Sequence, residues 1–192
     1  FFSTFCYVIN PVLGVVKFLL YPFQKAVLYQ FMLNRFNIIL KFRQAGITEL
    51  ISMYCLWLAM YHPNKKINII SIKDTVAKKV LKKIKFMYKN LPWYLQTPII
   101  NGRTGEYGSA SMIEFDNGSF IESIPTSSEA GRSESLSLLV IDEAAVVRWA
   151  AQIWAAAFPT LSTGGAAIVN STPYGVGNFY HSTWVDAIAG GN

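Results

Sequence analysis

The segment Lys41-Phe42-Arg43-Gln44-Ala45-Gly46-Ile47-Thr48 lies between an apolar run, Phe36–Phe42, and a helical run that opens at Thr48. A strand–turn–helix junction offers unpaired backbone amides and the positive end of a helix dipole, both of which favour a phosphate. Against the phosphate-cradling pattern Gly-x-x-x-x-Gly-Lys-Ser/Thr, Gly46 and Thr48 match. Lys41 stands in place of the first glycine and Ile47 in place of the lysine. The cation missing at 47 is offered by Lys41 or Arg43, and either could reach a terminal phosphate from the other side of the turn. On pattern alone, an ordinary strand–turn–helix connection accounts for the segment equally well.

A second apolar run, Leu136–Ile141, delivers Asp142 and Glu143 at its end. That arrangement suits an aspartate holding Mg²⁺, directly or through water, beside a glutamate that activates the attacking water. Two carboxylates after a strand also make a plain helix N-cap. The nucleotide reading gains weight from order, because one site needs both halves and the chain supplies them in sequence. Asn170-Ser171-Thr172-Pro173 ends a third apolar run, where small hydroxyls could sense a terminal phosphate or relay its loss. A Pro/Gly turn explains it as readily.

The elements that must position these residues follow from periodicity. Strands are predicted at 36–42, 67–72, 136–141 and 166–170, and helices at 48–61, 74–91, 144–157 and 177–188, with Asp74 as a cap. Ser111–Phe115 and Ser119–Ile124 flank Asp116-Asn117-Gly118, a hairpin signal. Residues 92–110 carry no pattern. Strands alternating with helices imply an α/β fold with a mainly parallel sheet and an inserted β-hairpin, in which ligands bind at the carboxyl ends of the strands.

Composition narrows the class. The 192 residues are 52% hydrophobic and 15% charged, which excludes disorder over most of the chain. Seventeen basic against 11 acidic residues give +6, compatible with a polyanionic partner. Two cysteines, Cys6 and Cys55, cannot build a disulfide framework, and two histidines leave no zinc cluster. The Leu50–Met60 run is too short to span a bilayer, and Phe5–Phe23 is broken by Pro11, Gly14, Lys17 and Pro22, so no membrane role is expected. The chain opens without Met and reads as part of a longer protein.

Together with Tyr21-Pro22-Phe23-Gln24, these segments resemble the ATPase domain of phage large terminase subunits, the motors that package viral DNA. The resemblance runs from about Pro11 to Tyr180. Asn10-Pro11 through Gly14, Phe18 and Tyr21–Gln24 are similar to the family's entry segment, whose Gln contacts adenine. Arg43-Gln44-Ala45-Gly46-Ile47-Thr48 is similar to its deviant Walker A, Leu138–Glu143 to its Walker B, and Ser171-Thr172-Pro173-Tyr174-Gly175 to its coupling motif. Members lacking lysine at the position of Ile47 use a basic residue earlier in the loop, which implies Lys41, with Arg43 as rival or helper.

The resemblance implies a P-loop NTPase of the RecA/ASCE-like type, with ATP and Mg²⁺ as cofactors. ATP would be held by Gln24, Lys41, Arg43, Gln44, Ala45, Gly46, Ile47 and Thr48, and Mg²⁺ would lie between Thr48 and Asp142. Glu143 would be the water activator, with Arg43 in cis, or Arg132 in cis or across a subunit boundary, as the arginine that meets developing charge. Ser171, Thr172 and Pro173 would couple hydrolysis to movement. One ATPase domain is expected over 1–192, with 1–35 on the adenine side and 36–192 as the P-loop core. No nuclease domain is expected within it, since only Asp186 lies beyond Arg148 among the acidic residues. Implied partners are double-stranded DNA, a portal protein, a small terminase subunit and further copies in a ring, in the cytoplasm of an infected host at the procapsid portal.

Nine of the 17 basic residues fall between Lys65 and Lys89. Lys78, Lys82, Lys85 and Lys89 make a stripe that can meet DNA phosphates, although a solvated helix face produces the same pattern and is the favoured reading. Two other readings are a superfamily 2 helicase-like ATPase and a non-hydrolysing nucleotide-binding assembly module. The first would want a second RecA-like domain and a lysine at 47; the second is allowed by Ile47.

Overall fold

Fully buried apolar runs in the sequence become the centre of a six-stranded sheet with helices on both faces. The computed structural model describes residues 1–102, 107–127 and 135–190. The chain opens with a short helix, α1 (Phe2–Phe5), an antiparallel hairpin, β1 (Tyr7–Asn10) and β2 (Gly14–Lys17), and helix α2 (Pro22–Leu33). Then come β3 (Phe36–Leu40), α3 (Ile47–Tyr61), β4 (Lys66–Ile70), α4 (Asp74–Lys89), β5 (Met112–Glu114), β6 (Phe120–Ser123), β7 (Leu138–Asp142), α5 (Ala150–Ala157), β8 (Ala166–Ser171) and α6 (Phe179–Ile188).

The sheet order is β3-β8-β7-β4-β6-β5, parallel throughout except for β5 at one edge. The expected mainly parallel α/β sheet is present. The hairpin of β5 and β6 is no separate excursion, since β6 extends the parallel sheet beside β4. Its Gly118 takes φ +79, as the turn requires.

Every residue of β7 is buried, as the central strand of a two-sided parallel sheet demands. Strand alternation divides its side chains. Leu138 and Val140 join a cluster with Leu50, Leu56, Ile67 and Ile69 beneath α3 and α4. Leu139 and Ile141 join Ala150, Ile153, Val169 and Tyr180 on the face covered by α5 and α6. The same alternation sends Asp142 toward the start of α3.

Four expectations need correction. Residues 144–157 do not form one helix: a 3-10 turn, Ala144–Val146, is followed by Trp149 at φ +73, and only then does α5 begin. Two left-handed residues, Glu143 and Trp149, bracket that turn and prevent continuous helix. Asp74 is the first helical residue of α4 rather than its cap, and it pairs with Lys78 at 2.6 Å. The final helix starts at Phe179, two residues late, because Asn178 caps it by accepting from His181 N–H. Asn117 does more than turn a hairpin: its amide donates to the Ala59 and Met60 carbonyls near the end of α3. No described helix is long and apolar enough to cross a membrane.

Candidate nucleotide-binding site

The topology places β8 between β3 and β7, so the ends of the three motif-bearing strands are neighbours. Lys41 follows β3 directly, and its backbone N–H donates to Ser171 O at 3.0 Å. The loop then turns through two left-handed residues, Gln44 at φ +64 and Gly46 at φ +69. Gly46 is needed on two counts, because a Cβ there would also lie 2.6 Å from Gln24 Nε2. Ile47 is 3% exposed and packs into the core under α3, so the position where a phosphate lysine is expected supplies apolar packing.

Lys41 takes up the charge. Its Nζ lies 2.7 Å from Glu143 Oε1, 3.4 Å from Asp142 Oδ1 and 3.3 Å from Thr48 Oγ1. The Thr48 hydroxyl lies 3.3 Å from the same Asp142 oxygen. Glu143 stands at φ +57, a conformation few non-glycine residues adopt. Its second oxygen accepts from Thr172, from the backbone N–H at 3.1 Å and from the hydroxyl at 3.0 Å. Ser171 Oγ accepts from Ala145 N–H at 3.1 Å and so ties β8 to the turn after Glu143.

Burial and charge act in opposite directions on the two carboxyls. Asp142 is pushed above the usual carboxylate range, chiefly by burial and further by Glu143, against the pull of Lys41. Burial also works against ionised Glu143, yet hydrogen bonds from Lys41 and Thr172, with the Lys41 charge, hold its carboxyl below the usual range. One hydroxyl and one carboxylate, Thr48 and Asp142, suit Mg²⁺, which takes few protein oxygens and completes its shell with phosphate and water. The ammonium of Lys41 already brings positive charge against both oxygens, so the donor set fits a cation.

Other expected residues lie elsewhere. Arg43 is exposed on the loop surface, outside the cluster. Gln24 is 1% exposed; its Oε1 accepts from Tyr21 N–H at 3.0 Å, closing a capping box on α2, and its Nε2 donates to Ala45 O at 2.9 Å. Its amide therefore fastens helix to loop. Ala45 is buried, and Pro173 is exposed where β8 ends. Arg132 falls outside the described residues. Of the lysine stripe, Lys78 is paired with Asp74 and Lys85 donates to Ser109 O, while Lys82 and Lys89 are exposed.

Two residues near the cluster are given no role of their own by the sequence reading. Asn170 pairs in register with Asp142, is 0% exposed, and has both amide atoms without a partner among the described residues. An amide side chain closing the apolar run Ala166–Val169 was the available signal. Tyr180 is buried with an unpartnered hydroxyl, and burial, then the Glu143 charge, raise its pKa. Nothing in the local pattern of α6 marks it.

A parallel sheet with a loop–helix cradle, an Asp-Glu pair and an intervening polar strand end is the P-loop NTPase arrangement. No protein-family model matches the chain. Among solved structures, the large terminase of bacteriophage HK97 is similar over 99% of this chain and 40% of its own, with TM-score 0.76 and 21% identity. The large-terminase ATPase domain of Thermus phage P74-26 is similar over 85% of this chain and 69% of its own, with TM-score 0.62 and 19% identity. The large terminase of a thermophilic bacteriophage, solved with ADP, is similar over 90% of this chain and 44% of its own, with TM-score 0.69 and 16% identity. The chain has the fold of phage large-terminase ATPase domains, and it spans less than half the length of these two large terminases.

Proposed function

We propose that this chain is a single ATPase domain that hydrolyses ATP to move double-stranded viral DNA into a procapsid. The observation that carries the reading is one connected hydrogen-bond network, in which Lys41 meets Thr48, Asp142 and Glu143 and Thr172 meets Glu143. The solved structures add support, one having been determined with ADP.

The triphosphate lies over the loop 41–48, where the amides at the start of α3 and the Lys41 ammonium meet its charge. Thr48 and Asp142 would hold Mg²⁺, which would neutralise charge developing on the phosphates. Lys41 now bonds both carboxylates; terminal phosphate oxygens compete for it and free Glu143 Oε1 to accept a proton from the attacking water. Thr172 keeps its grip on the other oxygen, so the base stays oriented while its partner changes. Loss of the phosphate returns Lys41 to Glu143, and β8, bonded to both strands, registers the change. Arg43 or Arg132 meets the equatorial charge. Double-stranded DNA, a portal protein, a small terminase subunit and further copies in a ring are the partners this reading requires, at the procapsid portal in the host cytoplasm.

The test is phosphate release from ATP by purified protein in Mg²⁺, with DNA present. Glu143→Gln should cut turnover by about 10²–10⁴-fold while ATP still binds. Unchanged turnover would place the water activator elsewhere and overturn the mechanism.

A further inference from the structure

Tyr180 lies in the first turn of α6, 3% exposed, with its hydroxyl buried and without a partner among the described residues. A hydroxyl sealed from water and left unbonded costs stability, so its retention asks for a reason. The ring itself is well held. It stacks on Trp184 with centroids 6.4 Å apart and shares an apolar cluster with Ile141, Ala144 and Ala145. Those two alanines follow Glu143 directly, and α6 packs across the turn Ala144–Val146. Burial, then the charge of Glu143, pushes the pKa of the hydroxyl up, so it stays a donor within range of that carboxylate. Resting on the ATP reading above, we propose that Tyr180 is a positioning residue for Glu143, its hydroxyl donating to the carboxylate once Lys41 turns to phosphate.

In the cluster as it stands, Glu143 is fully engaged. Oε1 accepts from Lys41 at 2.7 Å, and Oε2 accepts from the N–H and the hydroxyl of Thr172. Withdrawal of Lys41 takes that donor from Oε1 in a partly buried site, where an unbonded carboxylate oxygen is costly. The oxygen has two lone pairs, one for the attacking water and one for a hydroxyl. The surrounding elements offer little else. β8 and α5 carry no ionisable side chain, and Asp142 is a second acceptor. Ser171 Oγ is already bonded to Ala145 N–H and to Thr172 O. Asn170, the other unbonded side chain near the cluster, stands beside Asp142 and alternates with Ile168 onto the sheet face away from α6. Tyr180 is the unspent donor on the α6 side.

Tyr180→Phe keeps the ring and removes only the hydroxyl. In otherwise wild-type protein it should raise the thermal unfolding midpoint by about 2–4 °C, because an unbonded polar group is lost. In the Lys41→Met background, where Glu143 lacks its cation, the same substitution should lower the midpoint by about 2–4 °C, because the bond is then in place. Lys41→Gln supplies that background if Lys41→Met does not fold. With ATP and Mg²⁺, Tyr180→Phe alone should lower kcat about tenfold and leave KM unchanged. A midpoint shift of the same sign in both backgrounds, or an unchanged kcat, would overturn the assignment and leave the hydroxyl to packing. If the sign reverses between backgrounds but wild type releases no phosphate from ATP, the ATP reading falls, and Tyr180 is a structural partner of Glu143 without a part in catalysis.

Discussion

Lys41 Nζ lies 2.7 Å from Glu143 Oε1, although 102 residues separate them and β8 runs between their strands. The pair is largely buried, with side-chain exposures of 9% and 23%. A buried cation shared by two carboxylates is a poor stabiliser compared with apolar packing, yet removing it alone leaves two uncompensated charges.

Lys41→Met should therefore destabilise the fold by about 3 kcal/mol, the lower end for a broken buried pair because Glu143 is partly solvated. Thermal or urea unfolding at neutral pH reads this directly. A loss indistinguishable from that of an exposed lysine would mean the cluster does not form.

The pH dependence of that variant should differ from that of wild type, in which the two carboxyls act in opposite directions. In wild type, Glu143 is held below 4.5, so its contribution is present above that value and lost as pH falls through the lowered one. Asp142 is raised above 3.8, so its contribution is lost as pH rises through the raised value. Without Lys41 both carboxyls titrate upward, and the folded state binds more protons than the unfolded one. Stability of Lys41→Met should then increase as pH falls from neutral toward 5, measured as the unfolding midpoint in a buffer series.

Thr172→Val removes one hydroxyl donor from Glu143 and keeps the backbone N–H. A hydrogen bond to a charged group is worth about 1.5–3 kcal/mol, so kcat for ATP should drop roughly 10- to 100-fold. On the proposed reading KM should change little, because Thr172 bonds the carboxylate of Glu143. A change confined to KM would argue against an orienting role.

Gly46→Ala combines a strained backbone with a collision at Gln24. It should cost about 1–3 kcal/mol, visible as a lowered unfolding temperature. Pairing it with Gln24→Ala should recover only the steric part, since φ +69 remains.

Cys6 and Cys55 are fully buried, and burial pushes both thiols up to about 12. A thiol-specific reagent at pH 8 should label neither in the native protein and both in denaturant. Rapid native labelling of Cys55 would mean that α3 opens readily.

The sheet and the three motif-bearing strand ends were legible because each is an apolar run stopped by polar residues, and such runs fill buried strands. The choice between Lys41 and Arg43 was not, since both flank the same turn and only the direction taken after β3 separates them. The hairpin of β1 and β2 escaped because Phe5–Phe23 mixes apolar residues with Pro and Gly and shows no period. The break after β7 was invisible because it depends on left-handed Glu143 and Trp149, neither a residue type that announces such a turn. Gln24 was read as an adenine contact from the family likeness; its bond to Ala45 O depends on where the loop lies.

The backbone bond from Lys41 to Ser171, and the side-chain bond from Ser171 to the turn beyond Glu143, join β8 to both flanking segments. A small tilt of that middle strand would carry with it the start of the 41–48 loop and the turn beyond Glu143. A displacement at that strand end would cross the sheet through its own ladder, at right angles to the strands, from β8 through β7 to β4.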